Sequence, residues 1–333
     1  MFNKTEITEE YCLKFVKLPS LTLAKLMYKE MPEAWPNLEA CRSTVRHVRG
    51  AHGKQGRKKR AGKKGFFRPL EIPYNPLGCL DEPLRSIDDW GVVDIEYQKA
   101  LILCDVHIPY YDKVAFTEAL KFGQDKGCDT VILNGDFVDF YSISKWQKDP
   151  RKRDFPGELA QCIETLDIIR DLFPDAKIIL KEGNHEERYF RFLCLKAPEL
   201  LGVPEYEIDK ILNLDMLDVQ LVKDKKPMKL GKLYVIHGHE FGQSTFSPVN
   251  FARTLFLKAK DYCLAGHAHQ VSEHSTKGIS GDPVVCWSVG HLGDPHPDYR
   301  PLNEWGHGFA IVTNMGGDEF RVDNKKIING KVY

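Results

Sequence analysis

IILKEGNHEERYF, residues 178–190, joins an apolar run directly to a polar loop. The run at 178–180 is typical of a strand inside an α/β sheet. Three polar residues follow Gly183 at once: Asn184, His185 and Glu186. A single loop of this kind is ordinarily only the start of a helix. Recurrence at other strand ends would instead indicate a site that needs these groups.

The same pattern recurs at the ends of other predicted strands. The five segments are LILCDVH (101–107), VILNGDFVD (131–139), IILKEGNH (178–185), YVIHGH (234–239) and YCLAGHAH (262–269). Because ligands gather at the carboxyl ends of strands in open α/β sheets, we expect the five ends to converge on one rim. They carry carboxylates, imidazoles and one amide but no thiolate, a donor set that suits Mn, Fe, Zn or Ni.

These donor groups exceed what one metal ion needs. Two ions that share a bridging carboxylate would use them. Metal pairs of this kind are a known device for phosphoryl chemistry, because they hold both the attacking and the leaving oxygen.

The five segments resemble, in order, the D-x-H, G-D-x-x-D, G-N-H-E, H and G-H-x-H motifs of the calcineurin-like metallophosphoesterases. The resemblance covers residues 97–314. The later stretch WSVGHLGDPHPDY (287–299) is similar to the tails of phosphoesterases from phages and bacteria. The phosphoprotein phosphatases of the superfamily have Arg-Gly after G-D-x-x-D, where this chain has Phe140 and Tyr141, so the resemblance to that branch is weaker.

The resemblance implies a role for each matching residue and two divalent ions, with Mn expected first and Fe, Zn or Ni as alternatives. The first ion would be held by Asp105, His107 and His269, and the second by Asn184, His237 and His267, with Asp136 bridging both. A hydroxide on the metals would attack phosphorus, His185 would protonate the leaving oxygen, and Asp139 would orient the His185 ring. His239 matches no metal role, and its function stays open.

The alternation of strands and helices after residue 97, followed by strand-rich sequence, predicts an α/β sandwich of two sheets flanked by helices. We predict three regions: a helical region with a basic linker at 1–65, an irregular bridge at 66–96, and the phosphoesterase domain at 97–333. Two short helices in the first region fit a helix-turn-helix. A plain helical hairpin packed on the main domain fits about equally well.

Residues 42–68 contain eleven basic side chains and no acidic one. Such a run favours contact with a polyanion, although it could also be merely solvated. The candidates for nucleic-acid binding are Arg42, Arg46, Arg49, Arg57, Lys58, Lys59 and Arg60.

The bulk composition bounds the remaining possibilities. The 333 residues carry 47 basic and 47 acidic side chains, which excludes a strong field over the whole molecule. Nine scattered cysteines without a CxxC pair favour a reducing compartment. With no long apolar segment, we expect a soluble cytoplasmic protein without a membrane partner, and the oligomeric state stays open.

Three functions follow from these observations. The first is a phosphodiesterase or nuclease acting on DNA. The second is a phosphatase or diesterase for small nucleotides or phosphoproteins. The third is a non-catalytic DNA-binding protein with a structural metal site, which a complete ligand set together with His185 disfavours.

Overall fold

The computed structural model describes residues 3–49, 90–146, 149–242, 249–277, 279 and 281–333. The chain divides into two compact units, Met1–Ser86 and Ile87–Tyr333. Most of the predicted bridge and the whole basic linker lie outside the described residues. The described end of the bridge, residues 90–96, was expected to be irregular but contains a short strand, β1 (Val93–Asp94).

The first unit contains three helices in the part that the structure describes: α1 (Lys4–Lys14), α2 (Ser20–Glu30) and α3 (Leu38–Val48). The α3 helix begins after Asn37, whose side chain accepts from the Ala40 backbone N–H at 2.8 Å. A short 3₁₀ turn, Pro32–Ala34, separates α2 from α3. The three helices share a buried core whose largest members are Leu18, Leu23, Met27 and Trp35.

The second unit is built on a seven-stranded sheet in the order β13-β12-β11-β2-β3-β4-β5. Its parallel strands are β2 (Lys99–Leu103), β3 (Thr130–Asn134), β4 (Lys177–Lys181) and β5 (Val219–Val222). Its antiparallel edge consists of β11 (Gly308–Gly316), β12 (Glu319–Ile328) and β13 (Lys331–Val332).

A second sheet of six strands has the order β1-β6-β7-β8-β10-β9. Its strands after β1 are β6 (Met228–Leu230), β7 (Leu233–Ile236), β8 (Cys263–Ala265), β9 (Ser272–Lys277) and β10 (Pro283–Ser288). The pairs β7–β8 and β8–β10 are parallel.

The described part of the second unit contains five α-helices: α4 (Lys113–Asp125), α5 (Phe155–Leu172), α6 (Glu186–Lys196), α7 (Ile208–Ile211) and α8 (Phe251–Ala259). None of the helices in the described ranges is both long and apolar enough to cross a membrane.

The two faces of the seven-stranded sheet bury different partners. Leu101 and Leu133 share one core with Phe116 of α4 and Leu166 of α5. The residues that alternate with them belong to a second core, in which Ile102, Ile132 and Ile179 meet Val235 and Leu264 of the six-stranded sheet. Strands covered on both faces are expected to be continuous apolar runs. The predicted α/β sandwich of two sheets flanked by helices is confirmed.

The sandwich brings strand ends together from both sheets. The ends of β2, β3 and β4 come from the parallel part of one sheet, and the ends of β7 and β8 come from the other. The predicted convergence of the five strand ends is therefore observed, and the ends come from both sheets. The ligand-bearing loops meet across the two layers.

Candidate metal centre

The first group of candidate ligands joins two strand ends. His269 Nε2 lies 3.2 Å from Asp105 Oδ1 and 3.3 Å from His107 Nε2. All three side chains are buried. These three atoms all carry lone pairs. A proton or a cation must therefore lie between them to offset their repulsion. The ligand atoms of the three residues lie within 4.8 Å of one another, which is compatible with one metal ion.

The second group consists of Asp136, Asn184, His237 and His267. His237 Nε2 lies 3.3 Å from Asn184 Oδ1 and 3.4 Å from Asp136 Oδ2. His237 Nδ1 lies 2.9 Å from the Asn134 carbonyl, which can only accept, so Nδ1 carries a proton and Nε2 is the nitrogen at which either a second proton or a metal ion would bind. The ligand atoms of Asp136, His237 and His267 also lie within 4.8 Å of one another.

The two groups adjoin. His237 Nε2 of the second group is 4.0 Å from Asp105 Oδ1 of the first. The structure therefore brings together all seven residues predicted as metal ligands, from five loops of two sheets.

His185 and Asp139 lie beside these groups. His185 Nε2 is 3.7 Å from Asp136 Oδ2, and His185 Nδ1 is 3.0 Å from the Asp139 carbonyl. The Asp139 carboxylate lies between two imidazoles, with Oδ2 3.4 Å from Nδ1 of both His185 and His107. This arrangement fixes the orientation of the His185 ring.

Arg188 contacts the same pair, although it belongs to none of the five motifs. Its Nη1 donates to the Asp139 carbonyl at 2.8 Å, and its Nη2 is 2.6 Å from His185 Nε2. Since a guanidinium only donates, His185 Nε2 accepts in this arrangement. Arg188 lies three residues after His185, which caps α6. This helical spacing is the signal from which the contact between the two side chains could have been predicted.

Electrostatics keep the carboxylates of the site ionised. Burial alone would raise the pKa of Asp136, but the adjacent imidazoles of His185 and His237 hold it well below its usual range. Burial acts in the opposite direction on His237, yet the charge of Asp136 raises the pKa of His237 to about 10. Burial and the neighbouring His237 lower the pKa of His267 to about 4. The site thus concentrates negative charge that a cation would balance.

The chain resembles the calcineurin-like metallophosphoesterases. The resemblance lies in five motifs in order and in the positions at which their side chains meet. No family model matches the chain.

The Gene 54 protein of Mycobacterium phage L5 is 25% identical over 248 residues, which are 70% of this chain and 95% of that protein. A Vps29 variant from Entamoeba histolytica is 14% identical, with a TM-score of 0.37, and the match covers 71% of this chain and 96% of that one. Yfce, a phosphoesterase from E. coli, is 15% identical, with a TM-score of 0.33, and the match covers 65% of this chain and 88% of that one.

Glu186 holds the loops that carry the ligands. Its side chain is fully buried and accepts from the backbone N–H groups of Asp136, Phe137, Val138 and Gly183 at 2.8 to 3.0 Å. Gly183 is required for this approach, because a Cβ there would lie 2.3 Å from Asp136 Oδ1. Glu186 therefore connects the loop after β3 to the loop after β4, a role that no sequence motif assigned to it.

His239 belongs to neither ligand group. Its Nε2 lies 2.9 Å from Glu187 Oε1, on the outer side of the site. Its neighbour Glu240 accepts from the backbone N–H groups of His237 and Gly238 at 2.8 and 2.6 Å. Glu240 is paired with the fully buried Lys181 at 3.0 Å. A buried ion pair thus positions the loop that carries His237.

The candidate nucleic-acid residues lie in the first unit, and only three of them are described. Arg42 pairs with Glu39 at 3.2 Å, and Arg46 is half-buried on the same helix. Arg49 donates to the backbone carbonyls of Phe15, at 2.9 Å, and Leu18, which connects α3 to the end of α1. The remaining candidates lie outside the described residues: Arg57, Lys58, Lys59 and Arg60.

Proposed function

We propose that this protein is a phosphodiesterase that uses two divalent ions, Mn first among them, to cleave DNA. The observation that carries the proposal is the meeting of two ligand groups beside His185. Asp105, His107 and His269 would hold one ion, and Asn184, His237 and His267 would hold the other. Asp136 would contact both ions.

The donor chemistry supports occupation by metal. In the first group His269 Nε2 lies 3.3 Å from His107 Nε2 and 3.2 Å from Asp105 Oδ1, and all three ligand atoms lie within 4.8 Å of one another. In the second group the Asn134 carbonyl leaves only the lone pair of His237 Nε2 to face Asp136 and Asn184. Mixed imidazole and carboxylate donors suit Mn, Fe, Zn and Ni better than a hard ion such as Ca.

A metal pair, when bound, activates water at neutral pH and offsets negative charge on the reacting phosphoryl group. The chain supplies the remaining chemistry. His185 Nε2 lies 3.7 Å from Asp136 Oδ2 and accepts from Arg188 in this structure; once Arg188 turns to the substrate, a proton taken up by Nε2 would be delivered to the leaving oxygen. Asp139 holds the ring through Nδ1. Arg188, which contacts Nε2, can move its donors to a phosphate oxygen when substrate arrives.

The preference for DNA rests on the basic residues of the first unit. Arg42 and Arg46 project from α3, and the basic linker continues from there. Arg49, which holds backbone carbonyls, has a smaller part in this proposal. Lys and Arg that neutralise phosphates release counterions, so binding of this type weakens steeply as salt increases.

The test of the reaction compares two reporters with the Mn-loaded protein. We expect bis(4-nitrophenyl) phosphate, a diester, to be hydrolysed faster than 4-nitrophenyl phosphate, a monoester. Preference for the monoester would favour the phosphatase alternative. Absence of turnover of both, with metal bound, would favour the non-catalytic one.

The test of DNA binding replaces the four linker residues Arg57, Lys58, Lys59 and Arg60 with glutamine. Each DNA phosphate that the variant no longer neutralises should reduce the slope of log K against log salt by about 0.9 for duplex DNA. Fluorescence anisotropy at several salt concentrations measures the slope. An unchanged slope and affinity would contradict the role of the linker, and hydrolysis of the small diester serves as the control for folding.

A further inference from the structure

A cleft opens beside the ligand groups of the second unit. Its volume is about 1220 Å³, and His107, His185 and His269 line it. A phosphate group alone would leave most of this space unfilled, because pockets for whole drug-sized ligands are typically about 300–1,000 Å³. The cleft therefore has room for a substantial part of the substrate next to the phosphate.

Aromatic side chains line two sides of this cleft. On one side Tyr110 and Tyr141 meet edge to face, with ring centroids 5.6 Å apart, and Trp146 stands 66% exposed. On the other side Tyr299, 71% exposed, lies 6.2 Å from Trp305 between ring centroids. Exposed aromatic rings of this size are costly to leave in water, and they are suited to stacking on a planar group.

The charges on the two sides are largely paired. Lys152 Nζ lies 2.8 Å from Asp298 Oδ2 and connects the two sides. Asp149 is paired with Arg151 at 2.7 Å. The aromatic part of the cleft is therefore less suited to a second anionic group than to a neutral planar one.

His291 supplies an unused polar group within the same cleft. Its side chain is 1% exposed, and within the described ranges neither ring nitrogen has a hydrogen-bond partner. The ring stacks on His269, with centroids 4.9 Å apart and planes at 14°. A buried imidazole without partners is costly, and a ligand that offers a hydrogen bond would satisfy it.

We propose that this cleft binds the nucleobase of the nucleotide whose phosphate is cleaved. The base would stack between Tyr299 and the Trp146 side, and its polar edge would meet His291. Base stacking on aromatic side chains is tolerant of sequence, because every base has a π face. This inference rests on the proposed phosphodiesterase function and adds the chemical class of the group next to the phosphate.

The catalytic test uses two diesters with the same leaving group. One is thymidine 5′-(4-nitrophenyl phosphate), and the other is the matched 2-deoxyribose ester without the base. We expect kcat/KM to be about 10- to 100-fold higher for the base-bearing ester, the range that stacking of one base provides. Equal values for the two esters would overturn the proposal.

Two variants test whether the cleft causes the preference for the base-bearing ester. Tyr299→Ala should reduce the ratio of the two kcat/KM values towards 1. Tyr333→Ala is the matched control, because Tyr333 is similarly exposed, at 63%, and is not among the residues that line the cleft. A ratio that Tyr299→Ala leaves intact would contradict the assignment of the base to this cleft.

A binding measurement separates failure of this inference from failure of the proposed function. Metal-free full-length protein is titrated with thymidine 5′-monophosphate and with 2-deoxyribose 5-phosphate in a calorimeter. Tighter binding of the nucleotide, lost in Tyr299→Ala, supports the base site even if no ester is hydrolysed. Equal binding overturns it even if both esters are hydrolysed.

Three further ligands in this titration identify the source of the bound group: a thymidine dinucleotide, a longer single strand and a phosphotyrosine peptide. Tight binding of a thymidine dinucleotide with no gain from a longer single strand would identify small nucleotides. A gain with strand length would identify single-stranded DNA. Tighter binding of a phosphotyrosine peptide than of either would contradict the proposal.

Discussion

Lys181→Met should destabilise the protein far more than an ordinary loss of a lysine. Lys181 is fully buried at the end of β4, and its Nζ contacts Glu240 at 3.0 Å and the Lys226 carbonyl at 2.8 Å. Methionine has a similar length and no charge. The substitution therefore leaves the Glu240 carboxylate buried without its counter-charge.

The magnitude follows from the burial of the pair. Breaking a buried ion pair by removing one partner costs about 3–5 kcal/mol. Glu240 retains two backbone N–H donors, from His237 and Gly238, so we expect the lower end of that range. For a unit of this size, about 3 kcal/mol corresponds to a decrease in Tm of roughly 6–12 °C.

Urea unfolding followed by circular dichroism measures this loss of stability, and two further variants are measured beside Lys181→Met. Lys232→Met is the matched control, because Lys232 and Glu319 form an exposed pair at 2.7 Å, for which about 0–1 kcal/mol is expected. Adding Glu240→Gln to Lys181→Met should recover most of the stability, since no unpaired charge remains. Equal effects of Lys181→Met and Lys232→Met would refute the reasoning.

Three further predictions concern the site and its pH dependence. His185→Ala should slow hydrolysis of esters with poor leaving groups by about 10²–10⁴ while metal content, measured by mass spectrometry, stays unchanged, because His185 is not assigned as a ligand. Mn at a hundred times its Kd should raise the free energy of unfolding by about 2.7 kcal/mol for each ion bound, and thermal melts of Asp136→Ala should show a smaller gain. Burial and the nearby Asp139 raise the pKa of Glu158 to about 7, above its unfolded value, so stability is lost as pH rises from about 4.5 to 7. Glu158→Gln should therefore increase the free energy of unfolding at pH 8 by up to about 3 kcal/mol and by much less at pH 5, and an equal gain at both would contradict this assignment.

Much of the fold could be predicted because the central strands are buried on both faces. The runs at β2, β3 and β4 are continuous in Leu, Ile and Val, and burial of these strands on two sides explains that composition. The strands that could not be predicted from the sequence lack such a continuous apolar run. In β9, SEHSTK, exposed and half-buried residues alternate, and no apolar run exists to mark it. The short β5 and β6 strands are specified by their partners in the sheet rather than by their own composition.

The metal-ligand candidates could be found from sequence because each lies directly after a strand. The groups that hold them in place could not. Glu186, Glu240 and Lys181 act through backbone N–H groups and through one another, and such contacts have no characteristic spacing along the chain. His291 follows an apolar run as the ligands do and lies in the WSVGHLGDPHPDY stretch, but it belongs to none of the five motifs.

The backbone at the ligand positions explains why these clamps are needed. Five predicted ligands have left-handed conformations, with φ between 52° and 64°: Asp105, His107, Asp136, His267 and His269. For residues other than glycine this region costs on the order of 1–3 kcal/mol each, and it persists only where surrounding contacts determine it. The Asp105 carboxylate accepts from the His267 backbone N–H at 2.8 Å, while Glu186 holds the loop at Asp136. Ligands and clamps are therefore one structural unit, in which the same carboxylates and turns that would bind metal also hold the loops in strained conformations.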